Sequence, residues 1–280
     1  MGLRFRRRKA ANSEGELREI LGNAELPTFP NTVLRTLQIL RDPDSEAADI
    51  AKPLSADPGL TAQILRLVNS VAFSPRRPIT AIEQGVAMAG RSAVESLVLA
   101  AGVGSAVPAT SVDGFDPSRF WTAASQRAVM AKALARCLHP ETADLCFTAG
   151  LLQDMAVPLL VTNRSDYSEV LVQWHQGDRP LHELEEERFG WNHGLVAGWL
   201  CEEWGLPAQL TEAIGNHNDP EASIPPALHL VAPLREVNPE VSIEQIVGQT
   251  SSLFGLPETD IRQIVDESVT QASELAELLN

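Results

Sequence analysis

The chain has 280 residues, 44% of them apolar and only 5% aromatic, with a formal net charge of −15. Such a length and apolar content suffice for one large core or two smaller ones, and the negative charge disfavours wholesale contact with phosphate backbones, so no specific nucleic-acid partner is expected. No run of about eighteen apolar residues marks a transmembrane helix, and the basic N-terminus lacks the apolar core of a secretory signal, which points to a cytoplasmic protein. The first 20 residues hold six cations (Arg4, Arg6, Arg7, Arg8, Lys9, Arg18) against Glu14, Glu16 and Glu19, a net of +3, which leaves −18 on the rest. Residues 1–15 read as a basic, disordered tail. Cys137, Cys146 and Cys201 show no CxxC spacing and lie in apolar helical patterns, as reduced core thiols do.

Beyond the tail, apolar periodicity broken by Pro, Gly and Asp predicts helices almost throughout. A short one spans 17–22 and another 31–41, with Val33, Leu34, Leu37 and Leu40 on one face. Ser45 opens a helix that Pro53 should kink or end. Asp57-Pro58 is an N-cap followed by proline at the first helical position, opening a helix to about Val71. Thr80 caps a helix to Ala89, Gly90 ends it, and the next runs from Ser92 to about Val103. Residues 103–117 form a linker. Helices are then expected near 118–138, 142–162, 165–176, 180–188, 192–204, 207–216 and 225–236, followed by a C-terminal pair at 243–254 and 257–279. The expected fold is all-α: two helical lobes, 16–104 and 118–238, joined by a linker at 105–117, with a C-terminal extension at 239–280. The last helix is amphipathic; it either folds back on its own domain or pairs between subunits of a homodimer.

Leu26-Pro27, Asp57-Pro58-Gly59-Leu60, Asn69-Ser70, the Gly90 break, Phe120-Trp121, Gly150-Leu151-Leu152, Gly190 to His193, Trp204-Gly205-Leu206-Pro207 and His217 follow one another along the chain. Together these stretches resemble the HDOD family, a degenerate branch of the HD phosphohydrolase superfamily in bacterial signalling proteins. The resemblance covers about residues 20–235 and implies an HD-like architecture over 16–238. In the HD superfamily a His on an early helix, an adjacent His-Asp pair and a later Asp bind a divalent metal that activates water. Here those positions carry Ala123, Gln153-Asp154 and Pro233. A neutral carboxamide is a poor ligand beside imidazoles, and one carboxylate does not hold such an ion, so the resemblance implies a lost metal site, no catalytic residue and no cofactor.

His193 and His217 match positions where related HD proteins place further histidines, so Asp154, His193 and His217 are the possible residual ligands. A structural role within helix ends is the plainer reading of both histidines. The run Glu183, Glu185, Glu186, Glu187 reads as a solvated helix face, and His139, His175, His182 and His229 as surface or interhelical groups. Asn69-Ser70 read as a backbone-bonding turn, and Arg76-Arg77 as surface charge. Residues 80–103 have a helix-turn-helix outline, but the second helix is too apolar to read a groove. The expectation is a non-catalytic regulatory module binding a signalling protein supplied in trans, such as a second-messenger enzyme or sensor kinase. The alternatives are a residual metal-dependent nucleotide phosphohydrolase and a nucleotide-binding sensor without hydrolysis.

Overall fold

The structure is a computed structural model that describes residues 13–21, 30–70, 75, 77–106 and 112–279. The expected basic tail, Leu26-Pro27, Arg76 and the middle of the linker (107–111) lie outside the described residues or largely so. Among the described residues the regular elements are helical, with one isolated bridge between Val112 and Phe115.

The first lobe holds α2 (Asn31–Arg41), α3 (Ala47–Ser55), α4 (Pro58–Asn69), α5 (Ile82–Ala89) and α6 (Arg91–Ala106). Local chemistry sets their ends. Asp57 accepts from the Leu60 N–H and Pro58 opens α4. Pro53 sits in the last turn of α3, which ends two residues later. Gly90, at φ 85°, ends α5 in a conformation that other residues rarely adopt. Thr80 is not the cap of α5; Ala81 is, and Thr80 donates its backbone N–H to Gln84 instead. Asn69 clamps the end of α4, donating to the Leu65 and Ile79 carbonyls and accepting the Ile79 N–H. The α6 helix is core: Val94, Leu97, Val98, Leu99, Ala100 and Ala101 are all buried. Arg91 at its start reaches the carbonyls of Ile39, Leu40, Asp42 and Ser45, which end α2 and the turn after it.

The second lobe is built on α7 (Pro117–Leu138), with α8 (Ala143–Leu152), α9 (Ala156–Asn163), α10 (Tyr167–Gln176), α11 (Leu181–Phe189), α12 (His193–Glu203), α13 (Ala208–Gly215) and α14 (Pro226–Val231). The long helix expected over 142–162 is two helices, broken at 153–155. Pro158 has no N–H to give the Asp154 carbonyl, which instead accepts from Val157 in a tighter turn. This break carries the Gln153-Asp154 pair. Residues 140–163 have a mean hydropathy of 1.5 over a span long enough to cross a membrane, and 83% of that window is buried within the fold.

The first helix, α1 (Ser13–Ile20), packs on α12 of the second lobe rather than on the first lobe with which it is contiguous in sequence. At the other end come α15 (Pro239–Phe254) and α16 (Glu258–Leu279). Ile261, Val265, Ala272 and Leu275 of α16 are buried, and the helix lies along α7 while also touching α4 and α6. The C-terminal helix therefore folds back and straps the two lobes together.

A buried ion pair and a histidine pair beside a cleft

Two close helix approaches assemble the site. Gly150 of α8 sits against the backbone of α7: a Cβ there would lie 3.0 Å from the Arg127 carbonyl oxygen. That approach sets the turn bearing Asp154 beside Arg127. On the far wall, a Cβ on Gly198 would lie 3.1 Å from Gly215 Cα, and one on Gly194 would lie 3.2 Å from the His217 ring. The α12–α13 crossing thereby brings His193, at the start of α12, against His217, just past the end of α13.

Arg127 is the largest fully buried side chain described, 1% exposed. Its Nη2 lies 2.8 Å from Asp154 Oδ2, and its Nη1 donates to the Leu234 carbonyl at 3.0 Å. Ala123, one turn earlier on α7, is buried and presents no donor atom. Pro233 precedes the residue whose carbonyl receives Arg127. Gln153 is buried at 1% exposure, with neither end of its carboxamide hydrogen-bonded within the described residues. The ligand set implied by the HD resemblance therefore does not fit a metal: three of its four positions offer nothing suitable, and a guanidinium neutralises the fourth.

The other oxygen, Asp154 Oδ1, faces the histidines. It lies 3.4 Å from His193 Nε2 and 3.3 Å from His217 Nε2, and the two Nε2 atoms are 3.2 Å apart. The side-chain amide of Asn218 is 3.1 Å from His193 Nε2 and 2.7 Å from His217 Nε2. Each ring is fixed from behind. His193 Nδ1 bonds Glu185 at 2.7 Å, and His217 Nδ1 donates to the Ile214 carbonyl at 2.7 Å.

Glu185 corrects the reading of the acidic run as solvent-facing. Its carboxylate is wholly buried and accepts from the His193 ring, the His193 backbone N–H at 3.0 Å and the Tyr167 hydroxyl. Glu183, Glu186 and Glu187 do face solvent. Electrostatics follow from this arrangement. Burial opposes ionisation of Asp154, but Arg127, His193 and His217 hold its carboxyl well below the usual range. Burial would lower His193, yet the Glu185 and Asp154 carboxylates raise it to about 10. Burial lowers His217, with Asp154 opposing. A charged His193 donates from Nδ1 to Glu185 and from Nε2 towards Asp154, and a neutral His217 accepts from the Asn218 amide.

Asp154, His193, His217 and Asn218 line a cleft of about 1050 Å³ whose walls include His175, His182, His229 and Arg235. Five of the six histidines thus meet in one place, although the spacing of three of them gave no hint of it. The opposite wall is α15, through Val241, Gln245, Gln249 and Leu253. Sequence reasoning missed Arg127, Glu185 and Asn218. The first two were signalled: Arg127 is a lone cation within the apolar stripe Ala123, Ala124, Ala128, Ala131, and Glu185 shares a helix face with Leu181 and Leu184. Nothing in its surroundings singles out Asn218.

Known proteins resemble the chain at the level of fold. A protein of Shewanella amazonensis described as a candidate phosphohydrolase superposes with a TM-score of 0.75 at 22% identity, covering 96% of this chain and 98% of that one. An HDOD domain protein of unknown function from Geobacter sulfurreducens gives 0.67 at 24% identity, covering 96% and 99%. An uncharacterized protein of Treponema pallidum is 26% identical over 243 residues, 82% of this chain. The chain spans about half that relative's length, 46%. The sequence pattern of the HDOD domain matches residues 26–220, and with that match the chain belongs to the HDOD family.

Proposed function

We propose that the chain is a non-catalytic regulatory module of bacterial signal transduction, acting in the cytoplasm by binding a signalling protein such as a second-messenger enzyme or sensor kinase. Arg127 carries the reading. A metal-dependent hydrolase needs a divalent ion to lower the pKa of a bound water and to polarise the phosphoryl oxygen. Beside Asp154, the one carboxylate of the implied ligand set, the Arg127 guanidinium is bonded to Asp154 and to the Leu234 carbonyl. It supplies the neutralising charge without an open coordination position, so it holds the fold and activates nothing.

The test is hydrolysis of bis(p-nitrophenyl) phosphate and of cyclic and linear dinucleotides by the full chain, with manganese, iron or zinc added. The expected result is no turnover above that of an Asp154→Asn variant. Turnover that this variant abolishes would overturn the proposal and restore the phosphohydrolase reading.

A further inference from the structure

We infer that the stripe of α15 facing the cleft is a docking surface for one amphipathic α-helix of a partner protein, about three turns long, with an apolar face and basic flanks. This surface deepens the regulatory reading, on which it rests, by naming the chemistry of the protein that is bound.

Helix α15 turns two stripes in opposite directions. Ser242, Ile246, Val247 and Thr250 are buried in the body. Val241, Gln245, Gly248, Gln249, Ser252 and Leu253 are exposed and line the cleft. Their spacing of three and four residues is that of a single helix face, about 18 Å long at about 1.5 Å per residue. Of the large apolar side chains that stand exposed among the described residues, three belong to this wall: Val241 and Leu253, each 70% exposed, and Phe254. A Cβ on Gly248 would meet nothing within 4 Å, so the middle of the stripe is open. Apolar ends around a short-chained middle let a second helix axis come within about 8–10 Å. The far wall offers Trp174, Pro180 and Leu181 to the other side of such a helix. The cleft volume, about 1050 Å³, exceeds the roughly 300–1000 Å³ of small-molecule pockets. An extended peptide would need a sheet edge, and the described residues hold no sheet.

Charge sets the flanks. Inside the cleft, Asp154 is matched by Arg127, and Arg235 is engaged by the carbonyls of Trp174, Gly177 and Arg179. Burial lowers His175 and His182, which leaves both uncharged at neutral pH. Around the mouth stand four exposed acids: Asp178 in the lining, Asp219 and Glu221 on either side of the lining residue Pro220, and Glu240 beside Val241. No cation among the described residues forms an ion pair with any of the four. By contrast, Glu244 on the same helix is paired with Arg262. Lysine or arginine along both edges of an incoming helix would meet these acids while its apolar stripe enters between them. Acidic flanks would be repelled by a chain of net charge −15. A second copy of this chain would bring the same acids to the same wall and set like charges opposite each other.

The probe is a dye-labelled synthetic peptide of about 14 residues, with leucine at helical spacing on one face and lysine elsewhere. It is titrated with the full chain and followed by fluorescence anisotropy. The expected result is saturable binding, one peptide per chain, that weakens as salt is added. Gly248→Leu fills the middle of the seat and should weaken binding at least about tenfold. Its thermal midpoint should not fall, since leucine suits a helix better than glycine. Neutralising the rim together, by Asp178→Asn, Asp219→Asn, Glu221→Gln and Glu240→Gln, should weaken binding at least about threefold at low salt. The same peptide with glutamate for every lysine should not bind. Undiminished binding by Gly248→Leu would overturn the inference, because the peptide would then sit elsewhere on the acidic surface. So would equal binding of the glutamate peptide, or no saturation by wild type up to about 1 mM. A wild type that sediments as a dimer, and that Leu253→Lys makes monomeric, would also overturn it by giving the wall to a second copy. Should Gly248→Leu not fold, Leu253→Lys takes its place in the titration. Turnover in the hydrolysis assay alongside peptide binding would remove the regulatory reading and keep the surface; an inactive chain that ignores the peptide would do the reverse.

Discussion

Asp154 is the one carboxylate present in the ligand set that the HD resemblance implies, and its two oxygens meet different partners. Its charge is balanced on one side by Arg127 and on the other by His193, itself charged because Glu185 stands behind it. Together these four groups sum to zero, which is how buried charges are tolerated. Glu236 is an exception nearby. It borders a recess of about 130 Å³ with Ala123 and Arg119, and burial pushes its carboxyl up to about 8, with Arg127 opposing and Asp154 reinforcing the shift. The folded pKa lies above the ordinary 4.5, so between about pH 4.5 and 8 the folded chain binds more protons than the unfolded one. Stability should therefore fall as pH rises through that window. Glu236→Gln should remove this fall: its thermal midpoint should match wild type near pH 4.5 and exceed it at pH 8.5. A wild type that is equally stable at both ends would contradict the assignment.

At the scale of elements, the Asp57-Pro58 start appears as expected because its cap is local, and the helix 31–41 appears as expected from its apolar periodicity although no side chain caps its start. The start of α3 is capped by Glu46 rather than opened at Ser45. The break at 153–155 has a local cause in Pro158, but a continuous apolar run masks it, since both halves are buried. Glu185 and the short reach of α14 were not legible, because what surrounds them comes from distant parts of the chain. The same holds for the histidines: their meeting depends on the α12–α13 crossing at glycines 194, 198 and 215, which no spacing in the sequence reveals. The α7–α8 approach offers a direct check. Gly150→Ala would drive a methyl to 3.0 Å from the Arg127 carbonyl, which is backbone and has little room to yield. A loss of about 1–3 kcal/mol is expected in chemical denaturation. A neutral result would mean that α7 and α8 are not held so closely.

Across the whole molecule, α16 joins what the linker separates. It buries Ile261, Val265, Ala272, Leu275 and Leu279 against both lobes. Full burial of a large apolar side chain is worth about 1.5–3 kcal/mol, and a typical domain is stable by only about 5–15 kcal/mol. Ending the chain after Asn238 should therefore abolish a cooperative unfolding transition; a truncated chain that still melts in one sharp step would show that the extension is dispensable. The all-α, two-lobe plan was legible in the sequence, whereas this strap and the docking of α1 on the second lobe were not, because amphipathicity says that a face is buried and not where.

The central claim, that Arg127 stands in for the charge of a lost metal, is tested most directly by a double-mutant cycle on Arg127→Met and Asp154→Leu, followed by chemical denaturation. Each single change leaves one buried charge uncompensated and should destabilise by about 3–5 kcal/mol. The double variant keeps only the Glu185–His193 pair and should be far more stable than the sum of the two predicts. Additive losses would contradict the account, since Arg127 and Asp154 would then not be compensating each other.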